Sequence, residues 1–120
     1  MAEIIKLSTF SDERGALTVL EKKLPFEIKR IYYIYNATCK RGGHRHKKNA
    51  QALICLNGSC EVYTNNGREE KTFLLQMPDD CLLLMPEDWH TMDKFKKETV
   101  LLIVTSEYYD VNDYIDKEYS

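Results

Sequence analysis

The sequence predicts an all-β sandwich or barrel. Most of its 120 residues fall into short stretches rich in aromatic, aliphatic and β-branched residues, each followed by a turn signal. Asn-Gly at 57–58 and Asn-Asn-Gly at 65–67 are the strongest of these signals, because asparagine and glycine tolerate the positive φ angles of tight hairpins. Strands repeated at this spacing are typical of antiparallel sandwiches and barrels.

The expected strands follow one another along the chain. Segment 16–22 (ALTVLEK) follows the turn DERG, and segment 26–37 (FEIKRIYYIYNA) is rich in residues that suit a pleated surface. Residues 50–75 divide at the two asparagine–glycine turns into three strands. A short apolar run at 81–86 ends at a proline, and 98–109 (ETVLLIVTSEYY) reads as a further buried strand.

The C-terminal tail, residues 110–120, is the one stretch with a helical pattern. Asp110 is a suitable N-cap, and Val111, Tyr114 and Ile115 fall at the i, i+3 and i+4 positions of one helix face. We therefore expect a short C-terminal helix beside the strands.

Length and charge restrict the possible functions. A chain of 120 residues is the size of one ordinary domain, here residues 1–120. Its 17 basic and 19 acidic side chains give a net charge of −2, which argues against a general nucleic-acid or membrane surface. The N-terminus has no signal-peptide pattern and no run could span a bilayer, so we expect a cytoplasmic protein. The four cysteines lack CxxC spacing and favour reduced thiols.

Two of the three histidines, His44 and His46, lie two residues apart behind a glycine turn. On a strand, this spacing points both side chains to the same face. The densest basic cluster of the chain surrounds them, and it consists of Lys40, Arg41, Arg45, Lys47 and Lys48. Such a cluster suits an anionic partner.

The histidine pair and the residues after it resemble the first motif of the cupin family. A glycine turn precedes H-x-H, and Gln51 and Gly58 follow at the positions where cupins have an acidic residue and a closing glycine. Pro86 and His90 resemble a compressed second motif. The resemblance implies a jelly-roll-like β-barrel, which agrees with the strand pattern.

The paired imidazoles have three interpretations. A metal site is disfavoured because Gln51, at the carboxylate position, brings no charge to a divalent cation, so we expect no metal and no other cofactor. Solvent-exposed strand residues would be the default for a single histidine but suit a same-face pair less well. The third interpretation is an acid–base site. Two imidazoles on one cavity wall can remove a proton at one carbon and return it at the next, as an enediol tautomerisation requires.

Further segments resemble the cupin-type sugar-nucleotide 3,4-ketoisomerases that act on dTDP-4-keto-6-deoxyglucose. The resemblance runs over nearly the full length of the chain and keeps the order of the family's motifs. It rests on DERGAL (12–17), IKRIYYI (28–34), RGGHRHK (41–47), QALICLNGS (51–59), PEDWH (86–90) and YYDVNDYI (108–115). The glutamine at position 51 is shared with that family, whereas Asp116 stands where the family commonly has a basic residue.

The resemblance implies a metal-free enzyme of deoxysugar biosynthesis that is often a homodimer. His44 would take the C3 proton and His46 would pass a proton toward C4 and the oxygens, although the two roles could be exchanged. We expect the substrate to be bound by Arg41 and Arg14 at the diphosphate, by Trp89 through stacking, and by Gln51, His90 and Tyr33 around the cavity. Tyr33 shares a strand face with Tyr35, and the sequence leaves open which face is inward.

Three other functions remain open at this point. A 3,5-epimerase would act on the same keto sugar, but such enzymes pair a histidine with an aspartate and a tyrosine. A non-catalytic cupin would bind a sugar without exchanging its protons, and a metal-dependent oxygenase would need a stoichiometric metal. The sequence also leaves the configuration at C4 of the product open, galacto or gluco.

Overall fold

The structure is a computed structural model that describes all 120 residues, Met1–Ser120. It is built from β-strands with one 3-10 turn, Val111–Asp113. The strands are β1 (Glu3–Lys6), β2 (Ser8–Asp12), β3 (Gly15–Val19), β4 (Arg30–Tyr35), β5 (Arg41–His46), β6 (Gln51–Asn57), β7 (Cys60–Asn65), β8 (Glu70–Leu75), β9 (Asp80–Leu84), β10 (Trp89–Asp93), β11 (Val100–Thr105) and β12 (Tyr114–Ile115). The all-β prediction is confirmed.

Ten of the strands form two antiparallel sheets of five strands each. The first sheet has the order β1-β9-β6-β11-β4, and the second has the order β12-β5-β10-β7-β8. The chain passes from one sheet to the other between consecutive strands such as β6 and β7. This alternation closes the two sheets around a shared interior, as in a jelly roll.

The core lies between the sheets. Alternate side chains of the two inner faces fill it, as period-2 strands require; among its fully buried members are Leu53, Val62, Leu82, Leu101 and Ile103. The predicted Asn-Gly turn joins β6 to β7 beside this core. Gly58 has φ +78°, and a Cβ there would lie 2.3 Å from Thr99 Oγ1, so only glycine fits the turn.

A separate hairpin, β2–β3, stands apart from both sheets. Its strands pair only with each other, and Phe10 lies opposite Leu17. These two side chains are 65% and 60% exposed, a large apolar surface for so short an element. The preceding strand, β1, lies at the edge of the first sheet and pairs with β9 of its own chain.

The predicted C-terminal helix is wrong, because the tail forms only the 3-10 turn before β12. Asp110 does cap this turn, since its side chain accepts a hydrogen bond from the backbone N–H of Asn112 at 2.9 Å. The turn ends because Tyr114 pairs with His46 on β5. This pairing and the buried carboxylate of Asp113 outweigh the weak helical pattern.

Strand boundaries also differ from expectation near charged and proline-containing segments. The expected strand 26–37 begins only at Arg30, and 98–109 is a strand only from Val100 to Thr105. No helix of the structure has the length and hydrophobicity needed to cross a membrane.

Candidate active site

Strand pairing in the second sheet brings all three histidines of the chain together. β5 lies between β12 and β10, so His44 stands opposite His90, and His46 stands opposite Tyr114. The same-face prediction for His44 and His46 agrees with their ring centroids, which lie 5.1 Å apart. The ring of His44 also lies 5.1 Å from that of His90.

The glycines before the histidines, expected from the sequence to form a turn, lie within β5, beside a shift in its register with β10. The first of them makes this approach possible. Gly42 has φ +87°, and a Cβ on it would lie 3.0 Å from the carbonyl oxygen of His90. Any other residue would be strained by the backbone angle and crowded by β10. Gly42 therefore allows the close approach of β5 and β10 just before the histidines begin.

The histidine cluster opens into a cavity of about 250 Å³ between the two sheets. The cavity combines cationic, aromatic and imidazole side chains with an apolar base. Its polar and aromatic lining consists of Arg30, Tyr32, Arg41, His44, Gln51, His90 and Tyr114. A concave pocket with a few convergent polar groups is typical of a small-molecule site.

His46 lies behind this lining and is fixed by a carboxylate. Its Nδ1 lies 3.0 Å from Oδ2 of Asp113, and a carboxylate only accepts, so Nδ1 carries the proton. Asp113 also accepts hydrogen bonds from the backbone N–H groups of Lys48 and Asn49, at 2.9 and 3.2 Å. The buried Nε2 of His46 has no hydrogen-bond partner, so its lone pair remains available to receive a proton.

The cluster favours uncharged imidazoles. Burial lowers the pKa of His44 to about 4, with a further lowering from His46 and an opposing effect from Asp116. Burial also lowers the pKa of His46, although Asp113 partly offsets the effect. Burial lowers the pKa of His90 to about 3. Near neutral pH all three rings are therefore neutral, and each can act as a proton acceptor.

The donor set does not fit the divalent metal that many cupins hold. Gln51, at the position of the acidic ligand, uses its amide Nε2 to donate to the hydroxyl of Tyr32 at 3.2 Å. The structure contains no group of three or more His, Cys, Asp or Glu side chains arranged to hold a metal ion.

The structure brings four of the substrate-binding or catalytic candidates to the cavity wall: Arg41, His44, Gln51 and His90. Trp89 lies on the opposite face of β10 from His90. Its Nε1 donates to the carbonyl of Asp116 at 2.9 Å, and its ring packs against Tyr63.

Two other candidates lie outside the cavity lining. Tyr33 points outward and is 62% exposed, so the inward face of β4 is the one that carries Tyr32. Arg14 lies at the turn of the β2–β3 hairpin, where its guanidinium binds Asp12 at 2.6 Å.

Several residues of the site were missed by sequence reasoning. Arg30 lies over the ring of Tyr32, with Cζ 4.4 Å from the ring centroid, and Tyr114 packs edge-on against His44 at 4.6 Å. The helix predicted for the tail includes Asp113 and Tyr114, and a helix there is incompatible with the contact that they make with β5. The signal that could have found Tyr32 is its period-2 alternation with Tyr33, once the inward face of β4 is known.

Two antiparallel five-stranded sheets enclose a cavity whose wall carries histidines. This is the architecture of a cupin with a small-molecule site. The sequence matches the family model described as FdtA: WxcM-like, C-terminal, over residues 1–120. The chain therefore belongs to this family.

Relatives with known names agree with this membership. The chain is 40% identical over 117 residues to a TDP-4-oxo-6-deoxy-α-D-glucose-3,4-oxoisomerase of Aneurinibacillus thermoaerophilus, covering 94% of this chain and 84% of the relative. It is also similar to the 3,4-ketoisomerase QdtA of Thermoanaerobacterium thermosaccharolyticum, crystallised as a mutant with TDP-4-keto-6-deoxyglucose. That match has 42% identity and a TM-score of 0.91, and it covers 97% of this chain and 87% of the other.

A dTDP-4-dehydrorhamnose 3,5-epimerase of Bacillus anthracis shares the fold. Its TM-score is 0.83 at 18% identity, over 94% of this chain and 76% of that one. At this identity the likeness concerns the fold alone.

Proposed function

We propose that the protein is a metal-independent 3,4-ketoisomerase that converts dTDP-4-keto-6-deoxyglucose to a dTDP-3-keto-6-deoxyhexose. The observation that carries this proposal is the cluster of three imidazoles beside a cavity with cationic side chains on its wall. Membership of the FdtA family, whose named relatives are 3,4-ketoisomerases, supports the same reaction.

The reaction moves two protons and changes no net oxidation state. A base removes the proton from C3, which the C4 ketone acidifies, and the electron pair forms a C3=C4 double bond while C4–O becomes an enediolate oxygen. Proton transfer between the two oxygens gives the alternative enediolate. Reprotonation at C4 then leaves a ketone at C3 and a hydroxyl at C4. The chain must supply a base, a proton relay and donors for the oxygens.

His44 is the proposed base for the C3 proton, because it is the member of the H-x-H pair that lines the cavity. Its low pKa in the free protein keeps the ring neutral. A bound diphosphate adds negative charge nearby, which raises that pKa and strengthens the base. His46 is the proposed relay to C4 and the oxygens, since Asp113 leaves its Nε2 free to accept.

Arg41 is proposed to bind the diphosphate, because a guanidinium pairs bidentately with phosphate oxygens. Arg30, which also lines the cavity, adds a second cation. Arg41→Ala should raise KM with a smaller effect on kcat, as expected for a group that binds ground and transition states alike. Steady-state kinetics with dTDP-4-keto-6-deoxyglucose measures the split. A lower kcat at unchanged KM would instead assign Arg41 to the chemical step.

The direct test of the proposed reaction is the product. Incubation with dTDP-4-keto-6-deoxyglucose should give a 3-keto sugar whose C4 carries a proton, identified by NMR. A product inverted at C3 and C5 that keeps the C4 ketone would instead identify a 3,5-epimerase. Unchanged substrate that nonetheless binds would identify a non-catalytic sugar-binding cupin.

Independence from metal gives a second test. Because Gln51 offers no charge to a cation, we expect kcat to be unchanged after prolonged EDTA treatment. Stoichiometric iron, manganese or zinc by elemental analysis, together with activity lost on chelation, would contradict this and favour a metal-dependent oxygenase.

We further propose that residues 1–120 act as one domain and that the protein is a cytoplasmic homodimer. The hairpin surface formed by Phe10 and Leu17, which is largely exposed, supports dimerisation because a partner would cover it. The outer edge of β1 is open and could also be covered in a dimer.

The proposed cytoplasmic location is supported by the four cysteines, which are all free thiols and suit a reducing compartment.

A further inference from the structure

A buried glutamine on β6 and a tyrosine on β4, two strands of the first sheet with β11 between them, form a pair inside the cavity. Gln51 is 3% exposed, and its Nε2 donates to the hydroxyl oxygen of Tyr32 at 3.2 Å. Both side chains line the same cavity as His44 and His90. Neither the histidine motif nor the phosphate-binding cations account for this contact.

The direction of this hydrogen bond decides what Tyr32 can do. An amide nitrogen only donates, so the phenol oxygen accepts, and the phenol proton is left for another partner. Burial raises the pKa of Tyr32, with a further rise from Tyr114 and opposing effects from Arg30 and Gln51. The hydroxyl therefore keeps its proton near neutral pH, and that proton is available to an acceptor in the cavity.

Arg30 strengthens this donor. Its guanidinium carbon lies 4.4 Å from the centroid of the Tyr32 ring. A cation over the ring face favours negative charge on the phenol oxygen and therefore makes the O–H a better hydrogen-bond donor. A polarised donor inside a partly desolvated cavity is the arrangement that stabilises a developing oxyanion.

We infer that Tyr32 is a further catalytic residue, the hydrogen-bond donor to the enediolate oxygen, and that Gln51 is the positioning residue that directs its proton to the substrate. This inference rests on the proposed ketoisomerase function. When the C3 proton leaves, negative charge develops on the oxygen at C4, and the Tyr32 O–H donates to that oxygen. The same donor can follow the charge to the oxygen at C3 as the double bond is reprotonated at C4.

An amide at position 51, where other cupins have an acidic ligand, suits this role of Tyr32. An ionised glutamate at position 51 would accept the Tyr32 proton and turn it away from the substrate. It would also place a negatively charged carboxylate in the same cavity as His44 and His90. Glutamine keeps the size and the hydrogen bond but reverses its direction, so the position serves oxyanion stabilisation.

The test compares Tyr32→Phe with Tyr35→Phe. Tyr35 lies on the same strand but on its outward face, 61% exposed, so it controls for loss of a phenol from β4. Tyr32→Phe should lower kcat about 10²-fold or more, the usual cost of one oxyanion donor, with dTDP affinity and melting temperature close to the parent. Tyr35→Phe should keep the parental kcat. Equal kcat values for Tyr32→Phe and the parent would overturn the inference.

Gln51→Glu tests the direction of the hydrogen bond. It should lower kcat about as strongly as Tyr32→Phe, and kcat should recover as falling pH protonates the new carboxyl and lets it donate again. In a Tyr32→Phe background the same substitution should have little further effect, because the two residues act as one unit. Full additivity of the two losses would show that Gln51 acts on its own and would overturn its positioning role.

The two proposals fail in different ways. If the parent protein does not isomerise the keto sugar, the proposed function is wrong, whatever Tyr32 does. If the parent isomerises it and Tyr32→Phe does so at the same rate, the function stands and only the role of Tyr32 is wrong. Retained dTDP binding by each variant, measured by calorimetry, excludes misfolding as the cause of a lost rate.

Discussion

The N-terminal hairpin and the C-terminal tail are both short segments at the periphery of the fold, but only the tail contacts the histidine cluster. The hairpin, 8–19, pairs with itself, and Arg14 at its turn binds its neighbour Asp12. The tail pairs with β5 through β12 and places Asp113 3.0 Å from His46. Trp89 Nε1 and the carbonyl of Asp116 add a further hydrogen bond at 2.9 Å.

Pairing with a strand that lines the cavity therefore decides which residues form the site. How clearly a motif stands out in the sequence does not. DERGAL is one of the clearest motifs of the sequence, but within the chain its arginine lies outside the cavity lining. The tail carries a weak and misleading helical pattern, but its aspartate holds a proposed catalytic ring. Substitutions in the histidine cluster, in the tail and in the hairpin test this difference.

The largest expected effect is that of His44→Asn. Asparagine keeps a polar side chain of related shape but cannot titrate, so kcat should fall by about 10²–10⁴-fold, the usual contribution of a general base. Calorimetry should show dTDP binding close to the parent. His46→Asn should leave a small residual rate. If both variants turn over at the parental rate, the histidine pair is not the catalytic site.

Asp113→Asn tests the connection between the tail and the sheet. An amide can hold the other tautomer of His46 and offers no negative charge, so kcat should fall roughly 10- to 10²-fold. Asp110→Asn is the matched control, because Asp110 only caps the 3-10 turn and asparagine caps equally well. If the two variants have the same kcat, the tail does not position His46.

Substitutions in the β2–β3 hairpin should change the oligomeric state of the protein. Phe10→Ser with Leu17→Ser removes the two exposed apolar side chains that face one another across the hairpin. We expect light scattering at micromolar concentration to show a dimer for the parent and a shift toward monomer for the double variant. A parent that is already monomeric would contradict the proposed dimer, and an unchanged dimer would show that this surface is not its interface.

The smallest expected effect is that of mild acid on kcat/KM, which reports the free enzyme. The pKa of His44, lowered to about 4, means that its neutral, basic form persists as pH falls and is lost only near that value. The value of kcat/KM at pH 5 should therefore remain within about twofold of its value at pH 7. An acid limb near the ordinary histidine value of about 6.5 would contradict the burial of His44. Far-UV circular dichroism at each pH checks that the fold persists.

The sequence predicted the strands and the same-face histidines because both depend on local pattern. Turn residues and period-2 alternation are encoded within a few positions, and so is the H-x-H spacing. The inward face of β4 could not be predicted, because Tyr32 and Tyr33 are equally suited to either side. For Trp89 and His90 the same alternation means that one points inward and the other outward, and only pairing with β5 shows which.

The contact of Asp113 with His46 was out of reach for a different reason. The two residues are 67 positions apart, and their contact depends on a two-residue strand that pairs across the molecule. No local pattern encodes such a pairing, and the nearby apolar spacing favoured a helix instead. The Gln51–Tyr32 pair likewise joins two strands that follow each other neither in the chain nor in the sheet.

The central claim is that the histidine cluster exchanges the proton at C3 of a nucleotide-linked 4-keto sugar. The most direct measurement incubates the protein with dTDP-4-keto-6-deoxyglucose in D₂O and follows the C3 proton by NMR, with His44→Asn in parallel. The account predicts that the parent loses the C3 proton signal for two reasons: C3 becomes a ketone in the product, and substrate that re-forms from the enediolate takes deuterium at C3. His44→Asn should keep the signal. A substrate recovered with its C3 proton intact after incubation with the parent would contradict the account.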